Sequence, residues 1–134
     1  MKIDGGCHCG HISYEAEIDP NSVFLCHCTD CQIISGTAFR TVVPTPESKF
    51  NLLSGRPKTY IKMAESGAKR PQVFCPECGT QLYSTSVGEG PKKFNLRVGT
   101  IHQRGELQPT AQYWCRSAQE WVMDLSGVKQ IAKG

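Results

Sequence analysis

The chain has 134 residues and a mass of 14.8 kDa, which fits a single domain spanning 1–134. With 39% apolar residues and 13 glycines the core it can build is thin, so crosslinks or metal clips would help it hold together. The formal charge of +3 is mildly basic, but Lys69-Arg70 and Lys92-Lys93 are short enough to read as solvated turns. No apolar run approaches the ~20 residues that span a bilayer, and Met1-Lys2-Ile3-Asp4-Gly5-Gly6 lacks the apolar stretch of a secretion signal. The expectation is a cytoplasmic protein with neither membrane nor nucleic acid as partner. In that compartment thiols stay reduced, and clustered cysteines mean metal or redox chemistry rather than disulfides.

In chain order, Ile12, Tyr14, Ala16 and Ile18 alternate with polar residues, the period-two pattern of a half-buried strand, which Asp19-Pro20-Asn21-Ser22 ends. A short helical turn is predicted over 30–34. Strands follow at 37–43, 50–53, 59–63, 73–74, 81–84 and 94–98, bounded by turns such as Pro44-Thr45-Pro46, Ser54-Gly55 and Gly88-Glu89-Gly90-Pro91. A further helical turn is predicted over 117–125. Many short strands with Gly and Pro turns, and no repeat or linker, predict a mainly β fold of small sheets.

Seven of the eight cysteines fall in three clusters: Cys7-His8-Cys9, Cys26-His27-Cys28-Thr29-Asp30-Cys31 and Cys75-Pro76-Glu77-Cys78-Gly79. Ligands two or three residues apart can chelate one ion, and thiolate is the donor zinc prefers in closed protein sites. The last cluster has the form of a zinc knuckle, with Gly79 free to take a positive φ. A redox Cys-x-x-Cys is the competing reading, but no βαβ pattern follows it. Cys7 and Cys9 cannot satisfy zinc alone and need either the knuckle pair or the triple. Cys26, Cys28 and Cys31 can wrap one ion and leave a fourth position open, unless His27 or Asp30 closes it. If the triple stands alone, Cys7 and Cys9 join Cys75 and Cys78 in a closed four-sulfur site. Seven thiolates and two zinc dications would also bring the formal +3 to zero. A three-thiolate zinc carries a formal −1, a poor setting for making hydroxide and a better one for holding a thiolate that attacks carbon.

These motifs, Gly6-Cys7-His8-Cys9-Gly10, Cys26 to Cys31 followed by Ser35-Gly36, and Phe74 to Gly79, resemble those of the glutathione-dependent formaldehyde-activating enzymes and their centromere protein V relatives. The tail around Pro109 and Trp121 is also similar to that family's closing segment. The resemblance implies a β-tent fold, small antiparallel sheets pinned by a structural zinc on Cys7, Cys9, Cys75 and Cys78. It implies a second, catalytic zinc on Cys26, Cys28 and Cys31, hence two zinc ions per chain. The implied activity is that of a carbon–sulfur lyase, joining glutathione or another small thiol to an aldehyde-like electrophile, as an S-hydroxymethylglutathione synthase does.

Other residues carry plainer expectations. Cys115 reads as a buried free thiol, and His8 and His27 as non-ligands. His102 is a candidate proton shuttle, with a surface or core position the blander alternative. Arg40, Arg56 and Lys62 are candidate partners for the carboxylates of a peptide thiol. Trp114 and Trp121 are expected to pack the sheet faces. Two rival functions stand beside the enzyme: a zinc-pinned binding module, and a thiol sensor that releases zinc on oxidation.

Overall fold

A computed structural model describes residues 1–134. The chain runs β1 (Lys2–Gly6), β2 (Ser13–Glu17), β3 (Phe24–Cys26), α1 (Thr29–Ser35), β4 (Arg40–Pro46), β5 (Phe50–Ser54), β6 (Lys58–Met63), β7 (Lys69–Phe74), β8 (Gln81–Ser84), β9 (Lys93–Arg97) and β10 (Ala111–Tyr113), with short 3-10 turns between several of them. The strands form a three-stranded sheet, β1-β2-β5, and a seven-stranded sheet, β10-β3-β4-β9-β8-β7-β6. Every pairing is antiparallel except β10 with β3 at the edge of the larger sheet. The mainly β expectation therefore holds, with one true helix.

The alternation read at Ile12, Tyr14, Ala16 and Ile18 is real, since all four are buried around β2. Three strands escaped the sequence: β1, β3 and β10. The first carries Gly5-Gly6 and two charged residues, and the other two have three residues each, too few to show a period. What makes them strands is the hydrogen-bonded neighbour. The helical turn expected over 117–125 is a 3-10 turn at Glu120–Met123.

The two sheets meet through their inner faces. Tyr14 on β2 stacks on Phe50 at 5.2 Å, Phe50 meets Phe94 on β9 edge to face at 5.2 Å, and Phe94 stacks on Tyr83 at 4.2 Å. Val43, Leu82, Leu96, Val98 and Ile101 complete the core around them. The buried Tyr14 hydroxyl is satisfied by Thr100 Oγ1 at 2.7 Å, and burial lifts its pKa to about 12. Gly5 of β1 pairs with Ile101, which follows β9, and a Cβ there would collide with the Thr100 carbonyl and the Tyr14 ring. Glycine is required at that approach.

The tryptophans do not take this role. Trp114 and Trp121 are 45% and 56% exposed, because both follow the edge strand β10 and lie past the sheet rather than on its face. Phe94→Ala is accordingly expected to cost about 3–5 kcal/mol, seen as a lower urea midpoint. Trp121→Ala should stay within about 0.5 kcal/mol.

Candidate metal centres and the adjoining cleft

The three cysteine clusters resolve into two groups of sulfur atoms. Cys7, Cys9, Cys75 and Cys78 form one and Cys26, Cys28 and Cys31 the other, with all sulfurs in each group within 4.8 Å of one another. His27 and Asp30 belong to neither.

The four-sulfur group joins the turn after β1 to the turn between β7 and β8. Each turn is shaped by its own backbone. Gly10 N–H donates to the Cys7 carbonyl at 3.3 Å, Gly79 N–H to the Cys75 carbonyl at 2.9 Å, and both glycines take a positive φ, 84° and 79°. Thr80 fastens one turn to the other: its hydroxyl accepts from His8 N–H at 3.1 Å and lies 3.1 Å from the Cys78 sulfur, to which it donates. Ile12 N–H donates to Cys7 Sγ at 3.1 Å. Sulfur separations are 3.6 Å for Cys7–Cys9 and 3.8 Å for Cys9–Cys75. A tetrahedron with zinc–sulfur bonds of ~2.3 Å has edges of about 3.8 Å, so the donor set fits zinc. The Thr80 hydroxyl and nearby N–H groups hold the Cys78 thiol down to about 5. The His11 N–H draws Cys9 the same way, but burial and the neighbouring sulfurs push it up to about 12. Without a cation, four close sulfurs cannot all ionise.

The three-sulfur group sits where β3 ends and α1 begins. Cys26 is the last residue of β3, Cys28 caps α1, accepting from Cys31 N–H at 3.2 Å, and Cys31 lies buried in the first turn. The helix stops at Gly36, which takes the left-handed conformation and donates to the Gln32 carbonyl at 2.9 Å. Cys31 and Cys26 share a proton unequally: the bond from Cys26 lowers the pKa of Cys31, and the same contact raises that of Cys26. His27 is fully buried with Nε2 donating to Gln112 Oε1 at 2.8 Å, which agrees with its reading as a non-ligand.

Cys28 opens onto a cleft of about 780 Å³, which Asp30, Lys62, Arg70, Trp114 and Arg116 also line. Lys62 Nζ lies 3.0 Å from Asp30 Oδ2, and Arg116 reaches Glu65 at 3.6 Å with its guanidinium 4.9 Å over the Trp114 ring. Trp114 has φ 58°, the sole non-glycine residue in the left-handed region. A tryptophan held there is uncommon and marks a segment the surroundings over-determine. Gln32 does part of this, donating to the His27 and Ser117 carbonyls at 2.8 and 3.0 Å and accepting from Gln119 at 2.8 Å.

Of the expected cationic partners, only Lys62 lines the cleft. Arg56 is exposed and elsewhere, its N–H near His11 Nε2. Arg40 is buried behind the triple, where its Nη1 donates to Gln72 Oε1 at 2.9 Å. Cys115 is exposed, not buried, because it follows Trp114 outside the edge strand. His102 is exposed with Nδ1 3.2 Å from Asp4 Oδ2, away from the cleft. Sequence reasoning missed Gln32, Gln72 and Arg97. Neutral glutamines and one strand arginine give no motif, and their roles come from what the sheet register sets beside them.

A family model described as glutathione-dependent formaldehyde-activating enzyme matches residues 2–117, most of the chain. The chain belongs to this family. Of the tail expected to resemble the family's closing segment, Pro109 lies inside the matched residues and Trp121 beyond them. Among solved structures, the chain is similar to the crystal structure of a Rhodobacter sphaeroides protein from a structural genomics programme, with a TM-score of 0.61 and 17% identity over 81% of this chain and 98% of that one. That likeness shows a shared fold. No curated protein matches the chain. No helix is long and apolar enough to cross a membrane.

Both sulfur groups suit zinc, so elemental analysis of tag-free protein is expected to find two zinc ions per chain. Cys78→Ser should lose one of them together with much of the thermal stability, since zinc contributes about 10 kcal/mol or more to small zinc modules.

Proposed function

We propose that the protein is a carbon–sulfur lyase-type enzyme that makes or breaks the adduct of a small thiol, glutathione being the family's, with an aldehyde-like electrophile. The observation that carries this reading is the placement of Cys28: it belongs to a three-sulfur group and also lines a roomy, cationic cleft. The four-sulfur group supplies four protein donors, enough to close a tetrahedron by itself, and is assigned the structural role. Cys26, Cys28 and Cys31 would hold the second zinc, with a position left for a ligand that is not protein. A zinc ion there would supply a soft acceptor that keeps a thiol deprotonated near neutral pH.

The reaction needs no oxidant or reductant. The thiol gives up its proton, its sulfur bonds to the carbonyl carbon, the π pair moves to oxygen, and oxygen takes up a proton to give a hemithioacetal. The reverse breaks the same carbon–sulfur bond. The chain's part is to bind and orient. Lys62, Arg70 and Arg116 offer positive charge to substrate carboxylates, and Asp30 fixes the Lys62 ammonium in place. Arg70 has no carboxylate partner of its own and is free to take one from substrate. The Trp114 ring, already beneath Arg116, supplies an apolar wall.

Cys28→Ser is expected to abolish adduct turnover and to lose about one zinc per chain while circular dichroism stays native. Full activity in that variant would remove the reading. Arg70→Ala should raise KM about tenfold for a thiol bearing carboxylates and leave 2-mercaptoethanol unaffected, a comparison steady-state kinetics can make.

A further inference from the structure

Behind the three-sulfur group lie two arginines that no carboxylate accompanies. Arg40 and Arg97 are each 7% exposed, and neither has an acidic partner within ion-pair distance. Their guanidiniums converge on one neutral atom. Arg40 Nη1 and Arg97 Nη2 donate to Gln72 Oε1 at 2.9 and 3.1 Å, and Arg97 Nη1 donates to the Asn95 carbonyl at 3.0 Å. Both Nε atoms are buried without a protein partner.

The register explains the placement. Cys26 on β3 faces Arg40 on β4, and Val42, two residues on, faces Arg97 on β9. Residues two apart on a strand share a face, so both arginines lie on the face that carries Cys26. A guanidinium stays charged at neutral pH, and burying two side by side is unfavourable unless negative charge lies close. The group placed to supply that charge is the triple, whose sulfurs would be thiolates around a metal ion. Three thiolates around a dication carry a net −1, and the two guanidiniums turn it to +1. A fourth ligand bearing one negative charge balances the site; a neutral one does not.

We propose that Arg40 and Arg97 are positioning residues that set the three-cysteine centre to take an anionic thiolate as its fourth ligand in preference to a neutral molecule. The assignment rests on the reading of Cys26, Cys28 and Cys31 as ligands of a second zinc. It differs from the role of the cleft residues, since neither arginine lines the cleft and neither would touch substrate carboxylates. Arg40 and Arg97 act behind the sulfurs and favour charge, whatever the rest of the thiol looks like.

The test uses the whole protein with cobalt(II) in place of zinc, titrated with 2-mercaptoethanol as the anionic ligand and imidazole as the neutral one, followed by sulfur-to-cobalt charge-transfer and d–d bands. Gln72→Glu sets a carboxylate between the guanidiniums, keeps their acceptor and cancels one charge. It is expected to weaken 2-mercaptoethanol about tenfold or more and to leave imidazole unchanged or tighter. Gln72→Met, which removes the acceptor without adding charge, and Arg97→Lys, which retains it, should both keep the wild-type preference. Equal weakening of both ligands in Gln72→Glu, or no change in either, would overturn the assignment, as would an Arg97→Lys variant that binds two metals yet loses the preference. Metal content separates this from the underlying reading: one cobalt per wild-type chain would take away the second centre itself, whereas two with the preference absent would take away only the role of the arginines.

Discussion

Four sulfur atoms from two distant turns occupy a space 4.8 Å across, and most of the architecture can be traced to that convergence. One turn leaves β1 of the smaller sheet and the other joins β7 to β8 of the larger. Thiolates this close repel, so the arrangement is favourable when a dication sits among them. Thr80 and the N–H groups of Ile12 and His8 already hold the turns in register. Around this clasp the aromatic contacts of Tyr14, Phe50, Tyr83 and Phe94 join the sheets with modest area, which is what a chain so rich in glycine can supply.

The larger sheet then separates two environments. One face bears Val43, Phe94 and Leu96 and belongs to the core. The other carries Cys26, Arg40, Arg97 and Gln72, buried charge and amide where an ordinary sheet would meet water or an apolar layer. Burial and the nearby Arg40 push Arg97 down to about 9 from an ordinary value far higher, a sign of how costly that placement is for a cation. Such polar burial is hard to account for by stability and is natural beside a cluster of thiolates. The three-sulfur centre is thus framed from behind by buried positive charge and from the front by a cleft lined by Lys62, Arg70 and Arg116.

How far the sequence could be read differed by kind of feature. The cysteine clusters were legible because chelation acts over two or three residues, and the strands with clear alternation, 12–18 above all, were legible because burial imposes a period of two. The turn geometry at Gly79 followed from the knuckle motif and is present, with φ 79°. Three-residue strands were not legible, because β3 and β10 exist only through each other and β4. The tryptophans misled for a related reason: an aromatic residue signals burial on average, but Trp114 and Trp121 follow an edge strand, where there is no sheet left to cover. Arg40 read as a carboxylate partner because a lone arginine in a strand gives no hint of which face it shares with which neighbour.

By itself the sequence determined the donor chemistry: seven sulfurs in three clusters, and the family that carries this pattern. These follow from local spacing, which a chain keeps whatever its fold. Only the tertiary structure decided that Cys28 opens on a cleft, that Gln32 fixes the segment holding Trp114, and that Arg40 and Arg97 meet at Gln72 behind the triple. Those arrangements depend on strand order and register, which come from many weak long-range contacts acting together rather than from any stretch of sequence.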